Sequence, residues 1–295
     1  MSATHPVERV DARPVEGAPT PERRVVIYLA LVAVFSAAFW IPLIRAGTLR
    51  VGGGWLTFGL MWSPAAAAIL ASLATRRPLS EIGWRLDVRW ILLGVFVPIA
   101  YAAVAYGAVW ALGLGGVPNP DFLAQLPARF GGTPGAAFAK FLGVMSTVVL
   151  LTSCVRGLGE EIGWRGFLVP ELSRRMSFAK TSVVSGVIWS LWHYPLLLFA
   201  NYNGGTAKAY SLACFTVMVI GVSFLFAASR LASGGVWPAA ILHGSHNLFI
   251  QGVFNPLTAD TGHTKWWIGE FGAALAIAAL GVAALTLAWW RRAAP

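Results

Sequence analysis

Two adjacent glutamates, Glu160 and Glu161, sit in the stretch RGLGEEIGWRGFLVPELSRR of a chain that has few acids to place. Ionisable side chains at membrane depth cost about 3 kcal/mol or more each, so within apolar sequence they mark functional sites by default. Of the twelve acids, Glu8, Asp11, Glu16 and Glu22 precede the first apolar run, and Glu81, Asp87, Asp121 and Asp260 fall in connections. Glu171 lies near a turn, and Glu270 opens the last apolar run, where an interfacial carboxylate is the ordinary explanation. That leaves Glu160 and Glu161. His5 and His263 fall outside the apolar runs, whereas His193, His243 and His246 lie within them.

Spacing sets what these groups can do. Glu161 and Arg165 are i,i+4 with the acid first, the favoured order for an ion pair. Glu160 projects about 100° away on a helix and must find its partner on another one. His243 and Asn247, in HGSHN, are also i,i+4 and share a face. His246 is rotated off that face and reads as a packed or interfacial residue. A carboxylate beside an imidazole can hold and deprotonate a water, and a second imidazole with an amide donor can stabilise the oxyanion formed at an attacked carbonyl. The same groups could hold a zinc ion, although no His-Glu-x-x-His or other compact zinc motif occurs. They could also form a proton or ion relay in a transporter, serve a non-catalytic scaffold or immunity protein, or merely bridge helices by contacts worth about 1 kcal/mol apiece.

These groups must be positioned by membrane helices. The chain has 295 residues, 57% hydrophobic and 12% charged, with a mean hydropathy of +0.67, far from the soluble balance. Apolar runs near 25–44, 55–75, 90–113, 136–156, 180–200, 209–229, 236–254 and 266–290 are each about long enough to span a bilayer. They lack the alternation of barrel strands, so an all-α polytopic transmembrane bundle of about eight helices is expected. Residues 1–24 read as a disordered cytoplasmic tail, residues 25–292 as one transmembrane domain, with the catalytic core at about 136–254. The connection at 114–135 carries an amphipathic middle that suits a short interfacial helix.

The net charge of +10 does not indicate nucleic acid, because the basic residues cap apolar runs instead of forming a stripe. Arg76, Arg77, Arg85, Arg89, Arg174, Arg175, Lys180 and Arg230 fall on one set of connections, which places both termini in the cytoplasm. Cys154 and Cys214 show no redox or metal spacing. With a turn centred on Ser177, Glu161 and His193 both stand sixteen residues away, about 24 Å along their helices and level with one another. This needs the fourth helix to run to residue 173, with Gly157, Gly159 and Pro170 bending it and Pro195 kinking the fifth.

At these residues the sequence resembles the CPBP intramembrane proteases, the CAAX-processing and bacteriocin-processing (Abi) family related to Rce1. EEIGWR matches the family's Glu-Glu-x-x-x-Arg at Glu160, Glu161 and Arg165; WSLWH matches Phe-x-x-x-His with Trp189 for Phe and His193 retained; HGSHN matches His-x-x-x-Asn at His243 and Asn247. The resemblance covers roughly 136–254. It implies that Glu160 and His193 activate a water, that His243 and Asn247 form the oxyanion site, and that Glu161 with Arg165 braces the helix. Trp189 is expected to alter pocket shape more than catalysis. Family members have been labelled metalloproteases; a metal, if held, falls to Glu160, His193 and His243, whereas the glutamate-base reading favoured by the residues needs none. The expected partners are the bilayer and a membrane-associated peptide or protein, lipidated substrates among them, presented near the cytoplasmic leaflet of a bacterial plasma membrane.

Overall fold

The computed structural model describes residues 19–293; most of the tail expected over 1–24 therefore lies outside the described residues. Its last part is a correction. Thr20 accepts a hydrogen bond from the Arg23 amide, and Pro21 follows it as a first-turn residue, so helix α1 (Pro21–Ala46) already runs through residues 21–24. Gly47, at φ 62°, ends that helix in the left-handed region open to glycine.

The helices that follow are α2 (Trp55–Ala74), α3 (Val88–Ala111), the short amphipathic α4 (Pro120–Phe130), α5 (Pro134–Ser173), α6 (Phe178–Phe199), α7 (Lys208–Ser233), α8 (237–257) and α9 (Ala273–Ala293). Among the described residues no strand forms, and the protein is an all-α polytopic bundle. Among the described residues seven helices are long and apolar enough to cross a membrane. The eighth expected span corresponds to α8, which His243, His246, Asn247 and Gln251 make less apolar than the others. The last span starts at Ala273 and not at 266, so Glu270 belongs to the loop before it.

Helix α5 is the longest, 40 residues, and reaches Ser173 as the depth argument requires. Its irregularity is not at the glycines. Residues Leu150–Gly163 are regular α-helix, flanked by π-turns at Met145–Val149 and Trp164–Leu168. The glycines set helix spacing instead. A Cβ on Gly157 would stand 3.0 Å from the His243 Cβ, and one on Gly244 would stand 2.6 Å from the Cys154 backbone nitrogen. Small residues let α5 and α8 approach this closely, as membrane helices commonly do, and that approach carries the glutamates to the histidine.

The Arg-rich connections gather at one end of the bundle: Arg77 Nε lies 3.0 Å from Glu171 Oε1, and Arg230 donates to the Glu81 carbonyl at 2.9 Å. At the other end Asn201 donates to the Gly47 carbonyl, and Gly116 pairs with Ala259. Helix α4 turns Leu126 inward against Phe141 and Val253.

Candidate active site

Glu160, Glu161 and Arg165 are buried on α5, Trp189 and His193 stand on α6, and His243 and Asn247 on α8. All but Glu161 and Arg165 line one cavity of about 380 Å³, within the size range of small-molecule sites. Glu160 Oε2 accepts from the Trp189 indole at 2.8 Å and from the Trp164 indole at 3.3 Å. The partner from another helix is thus an indole, not a cation. Glu160 Oε1 is left facing His243 Nε2 at 4.0 Å.

Glu161 does more than brace its helix. Its Oε1 accepts from Arg165 Nη1 at 3.0 Å and from His243 Nδ1 at 2.8 Å, tying α5 to α8. Arg165 is held flat between the Trp189 and Phe226 rings, its guanidinium carbon 4.3 and 4.2 Å from their centroids. Trp189 is likewise more than a change of pocket shape: besides its indole bond to Glu160, its carbonyl lies 2.9 Å from His193 Nδ1. A proton on Nδ1 satisfies that carbonyl and assigns the free lone pair to Nε2. The π-turn after Glu160 is pinned by distant arginines, Arg230 donating to the Arg165 carbonyl at 2.9 Å and Arg77 to the Gly166 carbonyl at 3.0 Å. Such turns concentrate at functional positions.

The same cavity holds a second polar pole absent from the sequence reading. His246 and Glu270, expected to be merely packed and interfacial, both line it. Glu270 Oε2 accepts from Tyr202 at 3.0 Å and Gln251 at 2.9 Å, its Oε1 lies 3.5 Å from His246 Nε2, and His246 Nδ1 bonds the Tyr101 hydroxyl. Burial pushes the Glu270 carboxyl up, and the contacts with His246, Tyr202 and His193 outweigh it and hold the group below its ordinary value. Burial, with the Glu270 charge adding to it, pushes the Tyr202 phenol well above its own. Gln251 had a signal in the sequence, being four residues after Asn247 and eight after His243; Glu270 and Trp164 had none.

Leu49, Thr57, Tyr202 and Glu270 bring the cavity toward the Arg-poor end of the bundle. Its other pole is nearer the Arg-rich end: His243 stands six residues into α8, and Arg230 donates to the carbonyl of Arg165, four residues after Glu161. Among the described residues no three His, Cys, Asp or Glu side chains gather as a metal's ligand set, so Glu160, His193 and His243 as placed do not fit a zinc ion.

The fold and the site define an integral membrane protein with a buried carboxylate and imidazole centre between helices. Residues 142–249, which carry that centre, match the family model described as type II CAAX prenyl endopeptidase Rce1-like. The chain is also similar to the CAAX prenyl protease 2 of Methanococcus maripaludis, 48% identical over 42 residues. That match covers 14% of this chain and 16% of the relative's length.

Proposed function

We propose that the protein is an intramembrane endopeptidase that hydrolyses a peptide bond with a glutamate-activated water. Glu160 Oε1 takes a proton from the water, with His193 Nε2 as the second acceptor that orients it. The water oxygen adds to the carbonyl carbon. The oxyanion is met by the Asn247 amide and by His243 Nε2, which can donate when the ring is protonated at both nitrogens, with Glu161 as counter-ion on the Nδ1 side. Collapse of the tetrahedral intermediate breaks the C–N bond, and the proton held by Glu160 passes to the leaving amine.

The observation that carries this reading is the wiring of Glu160: one oxygen is fixed by two indoles, the other forms no ion pair with a guanidinium and faces His243 at the wall of the cavity. The family match supports peptide hydrolysis over transport. The substrate class is a membrane-associated, lipidated peptide or protein, in keeping with the name of the archaeal relative, and the setting is a bacterial plasma membrane. Full-length protein in detergent is expected to cleave a suitable lipidated peptide, Glu160→Ala to abolish cleavage while eluting as a folded protein, and chelators to leave the rate unchanged. Cleavage that survives Glu160→Ala ends the proposal; loss of activity on chelation, restored by zinc, replaces the water-activation step.

A further inference from the structure

Four carboxylates are buried among the described residues: Glu160, Glu161, Glu171 and Glu270. Two are neutralised by guanidinium groups, Glu161 by Arg165 and Glu171 by Arg77, Arg24 and Arg174. The other two form no ion pair with Lys or Arg, and the ion-pair partner of each is a histidine, with Glu160 4.0 Å from His243 and Glu270 3.5 Å from His246. These two are the ones that line the cavity. A buried carboxylate without a cation is costly, and the hydrolysis reading uses only Glu160.

Glu270 is built like a receptor. Two neutral donors, Tyr202 and Gln251, fix Oε2, so the carboxylate is oriented without being discharged. Oε1 has only His246, and 3.5 Å is longer than the roughly 2.7–2.9 Å of a closed charge-assisted bond. Arg156, among the described residues the one Lys or Arg on the cavity wall, stands four residues before Glu160 and forms no ion pair with Glu270. Between the poles the wall is apolar, including Leu196, Phe215, Met218 and Val219.

We infer that Glu270 is a specificity anchor that recognises a cationic amine or guanidinium of the substrate while the scissile bond lies at Glu160. The inference rests on the endopeptidase reading for its register. His243, beside Glu160, and Gln251, bonded to Glu270, lie eight residues apart on α8, about 12 Å along its axis. Extended peptide covers that in about three to four residues, and a long basic side chain shortens the count. The cation therefore belongs within about four residues of the cleaved bond.

The test uses full-length protein in detergent and fluorescent peptides in which one lysine is walked across an otherwise neutral apolar sequence. Each is compared with the same peptide carrying acetyl-lysine, and one arm keeps a free α-amine in place of the lysine, which separates a side-chain cation from a chain terminus. Cleavage is read as kcat/KM, and binding separately by anisotropy on the Glu160→Ala protein, so the anchor is still tested if nothing is cleaved. One or two adjacent lysine positions, or the free amine, are expected to gain about tenfold over the acetylated control, as an added charge-assisted bond gives. Glu270→Gln, nearly isosteric, is expected to bring that ratio below about twofold, with Tyr202→Phe between the two. A wild-type ratio near one at every position in both readouts, or a preference kept in Glu270→Gln, overturns the anchor. Loss of cleavage in all peptides with the binding preference intact overturns the endopeptidase reading and leaves the anchor.

Discussion

Glu171 and Glu160 stand on the same long helix, both buried, and their surroundings are opposite in kind. Toward the Arg-rich end, Glu171 lies 3.0 Å from Arg77, 3.6 Å from Arg24 and 3.9 Å from Arg174, while Glu81 bridges Arg77 and Arg174 at 3.1 Å. The cost of burial is felt there too: desolvation pushes the Arg77 guanidinium below its ordinary value, against the pull of Glu171 and Glu81. Toward the other end, Glu160 has indoles and an imidazole and borders a cavity. Carboxylates paired with guanidinium groups hold helices together; those given indole, phenol, amide and imidazole partners instead keep a lone pair and a charge for something that enters from outside. Glu161 is intermediate, an Arg-paired carboxylate that also orients the His243 ring.

The comparison is broken most directly by exchanging losses. Glu160→Gln is expected to cost about 10²–10⁴-fold in peptide cleavage, with unfolding in denaturant shifted by no more than about 1 kcal/mol. Glu171→Gln is expected to do the reverse, lowering stability by about 3–5 kcal/mol because buried guanidinium groups lose their partner, with the rate per folded molecule preserved. If Glu171→Gln silences a folded enzyme, the division between the two ends fails. Next in size, Asn247→Ala should reduce kcat by about 10²-fold with a smaller change in KM, as loss of an oxyanion donor does.

Trp189→Phe sharpens the comparison, because phenylalanine is the residue of the family pattern yet has no N–H to offer Glu160. A fall of about tenfold in kcat/KM is expected from losing a bond to a charged acceptor. A rate equal to wild type would show that the indole contact does not tune the carboxylate. The smallest effect is a pH dependence. The folded-state pKa of Glu270 lies below the ordinary 4.5, so its contribution to stability is complete above that value and is lost as pH falls through the lower folded value. The difference in unfolding free energy between wild type and Glu270→Gln, followed from about pH 7 to about pH 3, should stay flat and then close at the acid end. A difference that closes as pH rises instead would contradict the direction of the shift.

Much of the architecture was legible in the residues because a bilayer leaves few options: apolar length and the need to satisfy the backbone internally specify helices, and i,i+4 spacing specifies pairs such as Glu161 with Arg165. The extension of the fourth helix followed from level-matching Glu161 with His193 across the Ser177 turn. By itself the sequence therefore determined an all-α membrane bundle and most residues of one candidate centre. What only the tertiary structure decided depends on contacts distant in sequence. Indoles rather than a cation meet Glu160, Glu161 reaches His243, glycines space α5 from α8, and Glu270 leaves the head of its span to join His246 in the cavity. Periodicity reports which residues share a helix face; which face of another helix a side chain meets, and whether a buried charge is cancelled there, is settled by packing alone.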